Sequence, residues 1–288
     1  MNKTAFNYKF IVLSSLVSSV LGLFTGCETS SSYPSEPLVN HQHVVQVAGL
    51  SLKDREWLAN KIWQNESSGS YTGLTSWNTG EQFASLGIGH MIWYPVNYQG
   101  AFDESFPQWI TWMQRYHKDL LPTWLNRQPV PPCPWTSKAS FDNSQNNRMM
   151  KELRKFLLAT KIQQVDYIIL RSQKSRAKLA SGVEPQHRAH VLSNYDKLTQ
   201  TPQGQYALID YVNFKGEGLK LSERYQGQGW GLYQVLLEMP KNTSVAQASS
   251  TFSSAAQKVL TRRVQLSPPS RGEKRWLEGW MNRCTTYK

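Results

Sequence analysis

WLANKIWQNESSGSYTGLTSWNTGEQFASLGIGHMIWYP, residues 57–95, changes character midway, and that change decides the fold class. Leu58, Ile62 and Glu66 recur at every fourth position, the spacing that stacks side chains on one face of a helix. Ser51-Leu52-Lys53-Asp54 opens this helix, with Ser51 as its cap, and the helix runs to about Glu66. Its Leu58/Ile62 face is apolar and points inward, so Glu66 stands at the C-terminal end on the buried edge. Low dielectric and the negative end of the helix dipole both oppose ionisation there. A carboxyl group that keeps its proton near neutrality is what a general acid requires. The other reading of the same residues is an Asn-Glu turn that closes the helix toward solvent.

Beyond Glu66 the helical period stops. Residues 67–95 hold glycines, a Trp-Asn turn and a Gly-x-Gly-His sequence, which predict a loop or small hairpin. Outward from this stretch, helical patterns dominate. Apolar residues from Trp109 to Leu125 predict a helix over 102–126, with Pro107 tolerable in its first turn. Residues 148–180 predict one or two amphipathic helices. Further helices are expected over 184–198, 202–214, 230–239, 243–264 and 272–284. A second glycine-rich loop, 213–231, connects two of them. The class is mainly α, or α+β counting the hairpin, and glycine-rich loops held by a helical scaffold are where sites tend to sit.

Glu66 closing a helix, a glycine-containing loop, then Ser85-Leu86-Gly87-Ile88-Gly89-His90 resembles the lysozyme superfamily. Ser85 and the GIGH segment match the phage-type enzymes, and Glu66-Ser67 resembles the Glu-Ser pair of goose-type lysozymes and lytic transglycosylases. The resemblance covers about 40 residues, and it implies a lysozyme-like helical domain with a small β-hairpin beside the active-site helix. It also implies Glu66 as the catalytic acid, with Ser85 in the catalytic group and His90 near the substrate. Phage-type enzymes place an Asp in the hairpin; here the nearest carboxylate is Glu81, one position later. Glu81 either orients water and stabilises charge at the anomeric carbon, or is a surface residue of a turn. Without it, the site resembles the single-acid transglycosylases.

In the second loop, Gly231-Leu232-Tyr233-Gln234-Val235 resembles a groove-lining segment of goose-type enzymes, though far later in the chain. Tyr225, Trp230 and Tyr233 either stack on sugar faces or form an aromatic core at a tight bend. His41, His43, His187 and His190 have no metal-ligand spacing with carboxylates, so neither a metal nor a cofactor is expected.

The N-terminus has the parts of an export signal. Lys3 and Lys9 precede an apolar run over 10–24, which is short and broken by serines. Leu23-Phe24-Thr25-Gly26-Cys27 resembles the lipobox of bacterial lipoproteins, which implies removal of residues 1–26 and a lipid on Cys27. Glu28 in place of Asp implies the outer membrane, on its periplasmic face. Residues 27–49 then form a flexible tether, Ser/Pro-rich over 28–37 and able to reach ~75 Å at ~3.3 Å per residue. A single domain over 50–288 follows. In an oxidising compartment the two remaining cysteines, Cys133 and Cys284, are expected to form a disulfide.

The net charge is +12, and +10 without Lys3 and Lys9. Such a balance favours anionic partners, and export argues against nucleic acid. The expected partners are the lipid bilayer, through the anchor, and the glycan strands of peptidoglycan. Two functions follow: cleavage of those strands by hydrolysis or lytic transglycosylation, or binding of peptidoglycan or a partner without catalysis.

Overall fold

A computed structural model describes residues 50–288 except Ala101. The export signal, Cys27 and the tether expected over 1–49 lie outside the described residues.

The first helix, α1 (Leu52–Ser67), begins on a reciprocal cap: Ser51 Oγ accepts from the Asp54 amide at 3.2 Å, and the Asp54 carboxylate accepts from the Ser51 amide at 3.0 Å. Leu58, Ala59 and Ile62 are buried. Ser68, in a left-handed conformation with φ 53°, ends the helix and turns the chain toward the sheet. Three short strands follow, β1 (Thr75–Ser76), β2 (Ala84–Leu86) and β3 (Met91–Trp93), antiparallel in the order β1-β2-β3. Ser85 is the register centre, opposite Ser76 on one side and Ile92 on the other.

The helix expected over 102–126 is shorter. It is α2 (Ser105–Tyr116), and His117 leaves helical geometry at φ −147°. A single 3₁₀ turn over Lys118–Leu120 and then Pro122 carry the chain on. Leu125 is fully buried from irregular chain and Trp124 packs against the core, so the apolar pattern outruns the helix.

A short helix that the periodicity did not reveal, α3 (Lys138–Asn143), precedes α4 (Arg148–Ala159) and α5 (Lys161–Gly182). Thr160 separates the last two, its backbone at φ −106° and its hydroxyl donating to the Phe156 carbonyl at 2.7 Å. Both α6 (Pro185–Leu198) and α7 (Pro202–Lys215) start on a proline, where the missing amide is no loss. The second glycine-rich loop forms a two-stranded hairpin, β4 (Arg224–Tyr225) with β5 (Gln228–Gly229). Then come α8 (Leu232–Glu238), α9 (Ala248–Leu266) and α10 (Leu277–Thr285). In the core α1 lies against α5 and α7, while α9 lies against α8 and α10. Trp109, Tyr206, Tyr211 and Tyr287 are among its largest fully buried side chains.

The described residues are therefore mainly α with two small antiparallel sheets. Among them no helix is long and apolar enough to cross a membrane.

The disulfide expectation is corrected: Cys133 and Cys284 are both buried, free thiols. They belong to different elements. The Cys133 amide donates to the Tyr94 carbonyl at 2.9 Å, beside the end of β3. The Cys284 carbonyl, in α10, accepts from Ser253 Oγ of α9 at 2.7 Å. Burial pushes each thiol up to about 12, which keeps both protonated and inert.

Candidate active site

Glu66 sits in the last turn of α1, on the face that carries Leu58 and Ile62, with its side chain 12% exposed. Burial pushes its carboxyl up to about 7; Arg283 opposes that shift and the charge of Asp210 adds to it. One carboxyl oxygen, Oε2, lies 3.5 Å from His90 Nδ1, and the other lies 3.8 Å from Arg283 Nη2.

Arg283 is held elsewhere. Its Nε and Nη2 each donate to Asp210 at 2.7 Å, and Tyr287 Oη donates to Asp210 Oδ2 at 2.6 Å. Asp210 is buried in α7 and Arg283 belongs to α10. Such a bidentate pair cancels much of the guanidinium charge before it reaches Glu66. That is why a carboxyl 3.8 Å from an arginine still holds its proton near neutrality.

His90 reaches Glu66 because of the hairpin. Gly87-Ile88-Gly89-His90 is the connection between β2 and β3. Gly87 is left-handed, φ +74°, and a Cβ there would stand 2.2 Å from Gln164 Oε1. A Cβ on Gly89 would meet Ile168 Cδ1 at 2.7 Å. The backbone thus lies directly on α5, where the Ile88 amide donates to Gln164 Oε1 at 2.8 Å and Gln164 Nε2 donates to the Leu157 carbonyl at 2.6 Å. With His90 itself at φ 49°, the chain swings its imidazole toward Glu66. Burial pushes the imidazole down to about 4, so at neutral pH it faces Glu66 uncharged.

Glu81 lies in the turn between β1 and β2, where its carboxylate accepts from Asn78 Nδ2 at 3.0 Å. Its carbonyl accepts from Trp77 Nε1 at 2.8 Å. Burial raises its pKa, yet the charges that act on Glu66 are Arg283 and Asp210. Ser85 is buried at the centre of β2. Tyr233 is buried, its hydroxyl 2.7 Å from His187 Nδ1, and it takes no part in the Glu66 network. Trp230 is buried too, with Tyr225 packed on it at 4.6 Å between ring centroids and the Arg263 guanidinium 4.1 Å over it.

Trp230 and Tyr225 nevertheless connect to Glu66. The Arg283 guanidinium lies 4.6 Å over Phe214, and Lys215 Nζ lies 4.0 Å from that ring and 3.6 Å from Trp280. Arg263 stands 5.0 Å from Trp280 on its way to Trp230. Cations and rings thus alternate from Glu66 to the second loop.

Asp210, Arg283, Gln164, Phe214, Lys215 and Trp280 were not singled out from the sequence. For Asp210 a signal exists: it is the one charged residue in the otherwise apolar and aromatic run YALIDYV, 206–212. Arg283 lies in α10 and Tyr287 just beyond its end, and nothing in their spacing announces that both reach Asp210.

Among the described residues, no three His, Cys, Asp or Glu side chains converge to hold a metal ion. A shallow surface depression between α8 and α9, lined by Glu238, Lys258 and Arg262, shares no residue with the Glu66 network. The chain matches no protein-family model, no curated protein and no solved structure.

Proposed function

We propose that this chain is a lipid-anchored envelope protein that cleaves the glycan strands of peptidoglycan, with Glu66 as a single general acid in a lysozyme-like site. The observation that carries the reading is a carboxyl group held near neutral pKa, partly open to solvent, at the helix end that faces the GIGH hairpin. Proton donation from Glu66 to the glycosidic oxygen would leave a carboxylate 3.8 Å from Arg283, which stabilises the anion as it forms. That carboxylate then takes the proton of the attacking hydroxyl. Glu81 is engaged in its own turn, which favours a sugar hydroxyl closing an anhydro ring over a hydrolytic carboxylate pair.

Incubating purified peptidoglycan with the soluble domain and weighing the products tests this. Anhydro ends support the single-acid route, and reducing ends support hydrolysis. Glu66→Gln should lower turnover by ~10²–10⁴; equal activity removes the assignment. The lack of a hairpin Asp, with Glu81 bonded to Asn78 in its own turn, is the observation that favours the second reading, a site that binds glycan without cutting it. Binding without product by both proteins establishes that reading. The anchor is tested apart: labelled palmitate should enter the full chain and not Cys27→Ala.

A further inference from the structure

Along the run of cations and rings that starts at Glu66, arginines outnumber the carboxylates that pair with them. Arg283 is matched by Asp210, while Arg263 and Arg271 share Glu273, whose side chain is fully buried and also accepts from Tyr225 Oη at 2.8 Å. Lys215 is different. Its Nζ lies over the rings of Phe214 and Trp280, and among the described residues no carboxylate lies within ion-pair distance of it. Gly216, left-handed at φ +75°, ends α7 immediately after it and fixes the lysine at the helix terminus.

A desolvated lysine nitrogen that lies over two rings and has no carboxylate of its own suits an anionic oxygen as its ligand. We infer that Lys215, flanked by Phe214 and Trp280, receives a carboxylate carried by the glycan, so that the site selects acid-substituted strands over neutral ones. This rests on the reading of Glu66 as a glycan-cleaving acid. The Phe214 ring is shared by the lysine and Arg283, and Arg283 in turn touches Glu66. Burial, with Arg263 and Arg283 close by and only Glu273 and Cys284 opposing them, holds the ammonium down to about 6. An incoming carboxylate therefore draws a proton onto Lys215 and pairs with it.

The carboxylate has two possible sources, the lactyl group of a peptide-free strand or the stem peptide of an intact one. Three substrates separate them: a neutral N-acetylglucosamine oligomer, peptide-free strands and peptide-bearing strands. For the wild-type protein, KM should be about tenfold lower, or more, on at least one acidic strand than on the neutral oligomer. Lys215→Met should bring that ratio near one, and Lys215→Arg should restore most of it. The strand whose advantage is lost identifies the source. Equal KM on neutral and acidic strands overturns the inference and leaves Glu66 as the acid. Cleavage of none of the three overturns the reading of Glu66, and the inference falls with it. A ratio unchanged in Lys215→Met assigns the selectivity to other residues and also overturns it.

Discussion

At the scale of the residue, two influences compete at Glu66: burial, which keeps its proton, and Arg283, which draws it off. Burial prevails, and the carboxyl sits at about 7 against an ordinary value of 4.5. The folded protein therefore binds more protons than the unfolded chain between those two values. The stability that Glu66 contributes is fully present below about 4.5 and is lost as pH rises through about 7, with an upper bound of roughly 3 kcal/mol. Glu66→Gln cannot ionise. Its stability should gain on that of the wild type from pH 5 to pH 8, read as a growing difference in urea midpoint. A difference that stays flat with pH denies that burial holds the proton. The position of Glu66 was legible because Leu58 and Ile62 share its face. Its partners were not, since no local spacing announces that a residue at 283 will lie beside one at 66.

Among the elements, the hairpin depends on what lies under it. Short strands gain little by themselves, and the GIGH turn is held by one fully buried glutamine on α5. Gln164→Leu would leave the Ile88 amide buried without its acceptor, at ~1–3 kcal/mol. Gly87→Ala adds a Cβ 2.2 Å from Gln164 Oε1 at a left-handed φ, so it should cost at least as much. Gly80→Ala is the control: its φ is +89°, but nothing lies within 4 Å of the new Cβ, so only backbone strain remains. Thermal melts should rank Gly80→Ala above Gly87→Ala; the reverse order would mean that the hairpin does not rest on α5. The glycines were readable as a turn, but the glutamine was not. A Gln inside a helix looks solvated until the tertiary contact is known. The same blindness lengthened α2 on paper, where Trp124 and Leu125 continue an apolar pattern from chain that is no longer helical.

On the scale of the whole molecule, the C-terminal residues complete the site. Gln203 Nε2 donates to the Thr286 and Lys288 carbonyls at 2.9 and 2.6 Å, and Tyr206 shares a hydrogen bond with Thr286 at 3.0 Å. The tail is thereby fixed against α7. Cys284 is buried within this joint, apart from the elements that hold Cys133. Thiol titration of the denatured, unreduced domain over 50–288 should accordingly find two free thiols; none would restore the bridge.

The joint closes on Asp210, which lets a single substitution test structure and chemistry together. Asp210→Asn removes the negative charge that holds Arg283 in a bidentate grip and accepts from Tyr287. Removing one partner of a buried pair leaves the other uncompensated and costs roughly 3–5 kcal/mol. Part of that is recovered if the guanidinium turns to Glu66, already 3.8 Å away. Both effects act on Glu66 in one direction: the repulsion from Asp210 disappears and the attraction from Arg283 grows, so the carboxyl ionises more readily. A general acid works only while protonated. With Glu66 as the proposed acid of glycan cleavage, the alkaline limb of kcat/KM should therefore move to lower pH in Asp210→Asn, together with a lower urea midpoint. A limb that stays in place while stability falls would confine Asp210 and Arg283 to holding the C-terminus, and Glu66 would owe its proton to burial alone.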